Sequence, residues 1–103
     1  MSMQSQIMGK ISEALSPEHL EVINESHGHS VAPGSETHFK VVVVSGEFTG
    51  VGAVARHRRL YQILSEELRN GVHALALHTY TPAEWQLTGQ APPSPPCLGG
   101  SKA

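Results

Sequence analysis

A chain of 103 residues, 39% apolar and 16% charged, can build one hydrophobic core, and a second domain would be crowded. Seven basic against nine acidic residues leave a formal charge of -2, which excludes a whole-molecule basic field of the kind that draws nucleic acid. The lone Cys97 excludes an intramolecular disulfide, and no apolar run approaches the ~20 residues of a membrane-spanning helix.

The N-terminal MSMQSQIMGKISEAL lacks the charged and apolar regions of a signal peptide, so a soluble, cytoplasmic protein is expected. From Ser2 to Leu15, the residues Met3, Ile7, Met8, Ile11 and Leu15 recur at three- and four-residue steps, one apolar stripe of a helix. Ser16-Pro17 ends it, because the residue before proline avoids the helical region. Leu20, Val22 and Ile23 form a short strand in HLEVINES. The segment SHGHSVAPGSE that follows is irregular and long for a hairpin loop, and long loops in compact domains are commonly functional.

HFKVVVVS, from His38 to Ser45, is the clearest strand, with Phe39, Val41 and Val43 on one face and Lys40, Val42 and Val44 on the other. GEFTGVG turns into a helix from about Ala53 to Arg69. A helical wheel puts Val54, His57, Leu60, Tyr61, Leu64 and Leu68 on its buried face, with Arg56, Arg59 and Glu66 pointing away. Asn70-Gly71 is the stop signal. Val72 to Tyr80 reads as a third strand, parallel to the second because a helix separates them. Thr81 then caps a short helix that has Pro82 at its first position. The reading divides the chain into a domain over 1–88 and a flexible Pro- and Gly-rich tail over 89–103.

Seven histidines stand beside the single cysteine, and four of them, His27, His29, His38 and His73, fall where strands meet loops. Imidazole is the commonest metal ligand. Each histidine taken alone is more simply a satisfied surface or core group. Taken as a set on strand rims, they bring metal coordination level with that reading.

ETHFKVVVVS, FTGVGAVARHRRLYQIL and VHALALHTYTPAEW resemble the BolA family in order, spacing and wording, from about Met3 to Trp85. The resemblance implies an α-β-β-α-β-α domain of the α/β (α+β) class, similar to the type II KH fold, with a three-stranded mixed sheet and helices on one face. It implies no catalytic activity. It also implies partnership with a monothiol glutaredoxin of the CGFS type, the pair sharing a bridging two-iron, two-sulfur cluster with glutathione. The isolated chain, a monomer or weak homodimer, would carry no cofactor. The histidine ligand maps to His73 in VHALA and the loop ligand to His29, with His27 as the spare candidate. Imidazole in place of thiolate would raise the cluster potential, as in Rieske centres. His38 is expected to hydrogen-bond structurally, His57 to pack against the core, His78 to be surface or core, and Cys97 to have no role.

A competing signal lies in the same chain. FTGVGAV followed by ARHRRLYQIL resembles a helix-turn-helix, and the family's association with transcriptional regulation makes double-stranded DNA a partner through Arg56, Arg58 and Arg59. No GXXG loop of a true KH domain is present, and three arginines would give only salt-sensitive affinity.

Overall fold

The computed structural model describes residues 2–26 and 36–89. The helix α1 (Met3–Leu15) starts where expected, since the Ser2 hydroxyl accepts a hydrogen bond from the Ser5 N–H. It buries Ile7, Ile11 and Leu15 completely, while Met8, at the margin of the expected stripe, is exposed. Burying each such aliphatic side chain contributes about 1.5–3 kcal/mol. Ser16 closes the helix in the left-handed region at φ 44°, immediately before Pro17.

The strands β1 (His19–Asn24), β2 (His38–Val44) and β3 (Ala74–Tyr80) form one sheet in that order. β1 pairs antiparallel with β2, and β2 pairs parallel with β3, so the expected parallel crossover is present. β2 is central, and its alternation decides the core. Phe39, Val41 and Val43 join Ile7, Ile11, Leu15, Leu60 and Leu64 in one cluster. Val42 and Val44 point to the other face, yet they too are buried. Part of the reason is register. His19, Val44 and Tyr80 lie abreast across the sheet, and Trp85 stacks on His19 at 5.0 Å and meets Tyr80 at 5.1 Å. Two long helices therefore back one face, while the short helix α4 (Pro82–Thr88) reaches round one end to the other.

The long helix expected from Ala53 to Arg69 is two pieces, α2 (Ala53–Ile63) and α3 (Ser65–Arg69). The break is at Leu64, whose φ of -101° and ψ of 20° leave the helical well although its side chain stays in the core. Ser65, a residue whose hydroxyl competes for backbone groups, opens the second piece. α3 brings the buried Glu67 to the Lys10 ammonium of α1 at 2.9 Å. Glu66 and Glu67 together hold Lys10 above its ordinary pKa.

The wheel is also corrected for α2. Arg56 is buried with Leu60, whereas Val54 and Tyr61 are exposed at 72% and 45%. No helix among the described residues is long and apolar enough to cross a membrane. Of the tail expected over 89–103, Gly89 instead closes the last helix, its N–H donating to the Trp85 carbonyl, and the remainder lies outside the described residues.

Candidate functional site

Parallel pairing puts the N-terminal ends of β2 and β3 at the same rim of the sheet. His38 opens β2 opposite Ala74, the first residue of β3, and His73 stands one residue before it. His73 thus lies just ahead of the strand expected to contain it, and its side chain is exposed. Its backbone is fixed nonetheless, because the His73 N–H donates to the Thr37 carbonyl at 2.8 Å. The Thr37 hydroxyl meets His38 Nδ1 at 2.8 Å. The two imidazoles face each other with centroids 6.3 Å apart and planes at 73°.

The same rim anchors both ends of the segment between β1 and β2. Ser26 Oγ accepts from the Thr37 N–H at 2.9 Å and from the His38 N–H at 3.1 Å. The Glu25 N–H donates to the His38 carbonyl at 2.8 Å. On the far side, the Glu36 carboxylate caps the start of α1 by accepting from the Met3 and Gln4 N–H groups. His27 and His29, the loop candidates, lie outside the described residues, as does Cys97. The chain enters and leaves that loop beside His38 and His73.

The opposite end of the parallel pair is built from charge. Arg56 Nε donates to the Val51 carbonyl at 2.7 Å, and its Nη1 to the Thr79 carbonyl at 3.2 Å. The two terminal nitrogens then grip both oxygens of Glu84 at 2.7 and 3.1 Å. The guanidinium also sits 5.5 Å from the centroid of the Phe48 ring. Glu84 completes a capping box with Thr81: the Thr81 N–H donates to the carboxylate, and the Glu84 N–H donates to the hydroxyl. The Arg56 guanidinium, with the Thr81 backbone hydrogen bond adding to it, holds the Glu84 carboxyl down at about 2.

This corrects the expected arginine surface. Arg56 is spent on internal acceptors and does not face solvent. Arg59 pairs at 3.3 Å with Glu47, itself half exposed. Arg58 remains on the outside of α2, lining a shallow groove of about 330 Å³ with Val54, His57 and Tyr61. His57 therefore borders an open surface instead of the core. His78 is half buried, and desolvation, with Lys40 adding to it and Glu25 opposing, pushes its imidazole below the ordinary pKa.

Sequence reasoning missed one residue and one contact. Thr37, which touches both rim histidines, carries no signal beyond its place before a strand. His38 was assigned a structural hydrogen bond, which it makes, but its approach to His73 needs the parallel register to be known.

The comparisons agree with the fold. The family model described as BolA-like protein matches residues 11–84. A Vibrio cholerae protein named DNA-binding transcriptional regulator BolA is 56% identical over 100 residues, covering 96% of this chain and 94% of its own length. Human BolA-like protein 1 is 54% identical over 99 residues, covering 96% of this chain and 72% of its own. The solution structure of the Mus musculus BolA1 protein superposes with a TM-score of 0.80 at 53% identity, covering 93% of this chain and 78% of that one. With its family model matched over most of the domain and its sheet shared with a solved relative, the chain belongs to the BolA family.

Proposed function

We propose that this protein is a non-enzymatic regulator that binds a monothiol glutaredoxin and holds a two-iron, two-sulfur cluster jointly with it. One observation carries the reading. His73 presents an exposed imidazole on a backbone locked to Thr37, at the rim where both ends of the histidine-bearing loop are tied. A cluster ligand needs a fixed approach and access for a second protein, and the tied backbone and exposed side chain of His73 support that reading. His73 would supply one ligand and His29 the other, with His27 as the alternative, while the partner and glutathione supply thiolates. The cluster, when bound, contributes an electron-accepting centre whose potential rises as imidazole replaces thiolate. The chain's own residues hold the His73 backbone and tie both ends of the loop at the same rim.

The test is anaerobic co-purification with a CGFS-type glutaredoxin, followed by absorption and iron analysis. The complex should be coloured, and His73→Ala should bleach it while the thermal transition stays in place. His29→Ala should weaken the cluster more than His27→Ala. An undiminished cluster spectrum in the His73→Ala complex would sink the assignment.

A second reading is favoured by the name of the Vibrio cholerae relative, which describes a DNA-binding transcriptional regulator. Arg58 and Arg59 on the outer side of α2 are the residues left to contact phosphates. Each phosphate contact should add about one unit to the slope of log affinity against log salt. An Arg58→Ala, Arg59→Ala variant that binds duplex DNA as the wild type does rejects this surface.

A further inference from the structure

The two edges of the sheet are guarded differently. On β1 the Gln4 side chain donates to the Val22 carbonyl, and Glu21 puts a charge in the strand. Caps and charges of this kind keep an edge from pairing with another chain. β3 reads ALALHTY, with no charged residue and no proline, and its register with β2 runs without a bulge.

The backbone of β3 alternates in direction. The Ala74 N–H donates to the Thr37 carbonyl and the Tyr80 carbonyl accepts from the Ser45 N–H, so the even-numbered residues turn toward β2. The odd-numbered residues turn outward, as the Thr79 carbonyl does in meeting Arg56 Nη1. Arg56 therefore closes this edge at Thr79. Among the described residues, no hydrogen bond reaches the outward N–H and C=O groups of Leu75 or Leu77. Both leucines are also only half-buried, although the β2 members of the core cluster they pack against are buried.

The geometry points to a second copy of this chain as the occupant of that edge, paired antiparallel along β3 about a two-fold axis through Ala76. This register uses the open groups and no others. Leu75 meets Leu77 of the partner subunit in a hydrogen-bonded pair, and Leu77 meets the partner subunit's Leu75, so all four outward groups of each chain are satisfied. The same pairs set leucine against leucine on the helix-covered face. On the other face the axis passes between two alanines, whose Cα atoms come to about 4.5 Å in a non-hydrogen-bonded pair. His78 falls opposite the small Ala74 of the partner subunit, an exposed position. An axis at Leu77 would instead draw on the Thr79 carbonyl, which Arg56 already holds.

The strand is thus its own complement, and it carries no charge to repel its copy. The chain's own C-terminal end is a poor substitute, because four of the five residues from Pro92 to Pro96 are prolines without an N–H to donate. One strand pair is a small contact, so association is weak and shows at high concentration. It does not depend on the glutaredoxin reading.

The experiment is sedimentation equilibrium of the full chain from micromolar to millimolar concentration, with chelator and reductant present. These exclude pairing through metal ions or Cys97. A reversible equilibrium between monomer and dimer is expected. Ala76→Lys sets two ammonium groups at the axis and should raise the dissociation constant at least tenfold, while the thermal transition of the dilute chain is retained. A second pair of variants, without reductant and with Cys97→Ser, locates the axis. Ala76→Cys should form a disulfide-linked dimer as oxidised glutathione takes up the two electrons and two protons of the thiols, since ~4.5 Å lies within the Cα separations a disulfide spans. Ala74→Cys stands roughly 13 Å from its counterpart and should stay uncrosslinked. If Ala76→Lys does not fold, the cysteine variants decide.

A monomer at every concentration, a dimer indifferent to Ala76→Lys, or crosslinking of Ala74→Cys as readily as Ala76→Cys would each overturn this pairing. A wild-type glutaredoxin complex without a cluster would leave it standing.

Discussion

The two ends of the parallel strand pair are built on opposite chemical terms. At the C-terminal end, Arg56 spends its donors on two carbonyls and a carboxylate, and that carboxylate also closes the cap of α4. At the N-terminal end, Thr37 and Ser26 fix the backbone, while the imidazole of His73 is left exposed. Satisfied charge holds the fold at one end, and an imidazole stands exposed at the other. Substitutions should therefore cost stability at the first end and ligand binding at the second.

The largest effect should come from Arg56→Ala. It removes a side chain that is 11% exposed and leaves the Val51 and Thr79 carbonyls without their donor. Loss of such a partly buried network costs about 2–4 kcal/mol, and full burial would raise the figure. Since Glu84 is 47% exposed, its own share is screened by water. Urea unfolding should show the loss as a lower midpoint at unchanged slope.

Acid should erase part of the same network. Glu84 is held at about 2 in the folded chain, against an ordinary value of 4.5, so the unfolded chain binds more protons between those values. Its contribution is complete above about pH 4.5 and is lost as pH falls toward 2. The gap between wild type and Glu84→Gln in urea midpoint should be constant from pH 7 to 5 and close below that. A gap that closes near pH 6 would contradict the assignment.

Thr81→Ala removes the N-cap of α4 and one half of its capping box, with an expected loss of about 1 kcal/mol. At the other end, His73→Ala should change stability by less than about 0.5 kcal/mol, as exposed positions do. Thermal melts of the two variants side by side sharpen the contrast. A His73→Ala loss matching that of Thr81→Ala would mean that the rim also holds the fold.

What could be read from the sequence follows from how local each signal is. The apolar stripe announced the first helix, Thr81 announced the last through capping chemistry within three residues, and the alternation in HFKVVVVS identified both faces of β2. The parallel pairing followed from the intervening helix. The wheel of α2 failed because an arginine was assumed to face water. Its burial depends on Glu84, 28 positions away, and on carbonyls of two other segments, none of which local periodicity contains. Exposure of Val54 and Tyr61 is the other half of the same rotation. At the rim, His73 was legible through family resemblance, whereas its approach to His38 required the register His38 to Ala74.

Trp85 is the chain's single tryptophan, and it lies against His19 and Tyr80 at the charge-built end. The register from His38 to Val44 spans six residue steps, roughly 20 Å at ~3.3 Å per residue. Its indole emission therefore samples the docking of α4 while standing well away from the rim histidines. In one cuvette, a ligand could be titrated at the rim while fluorescence independently gauges the integrity of the other end.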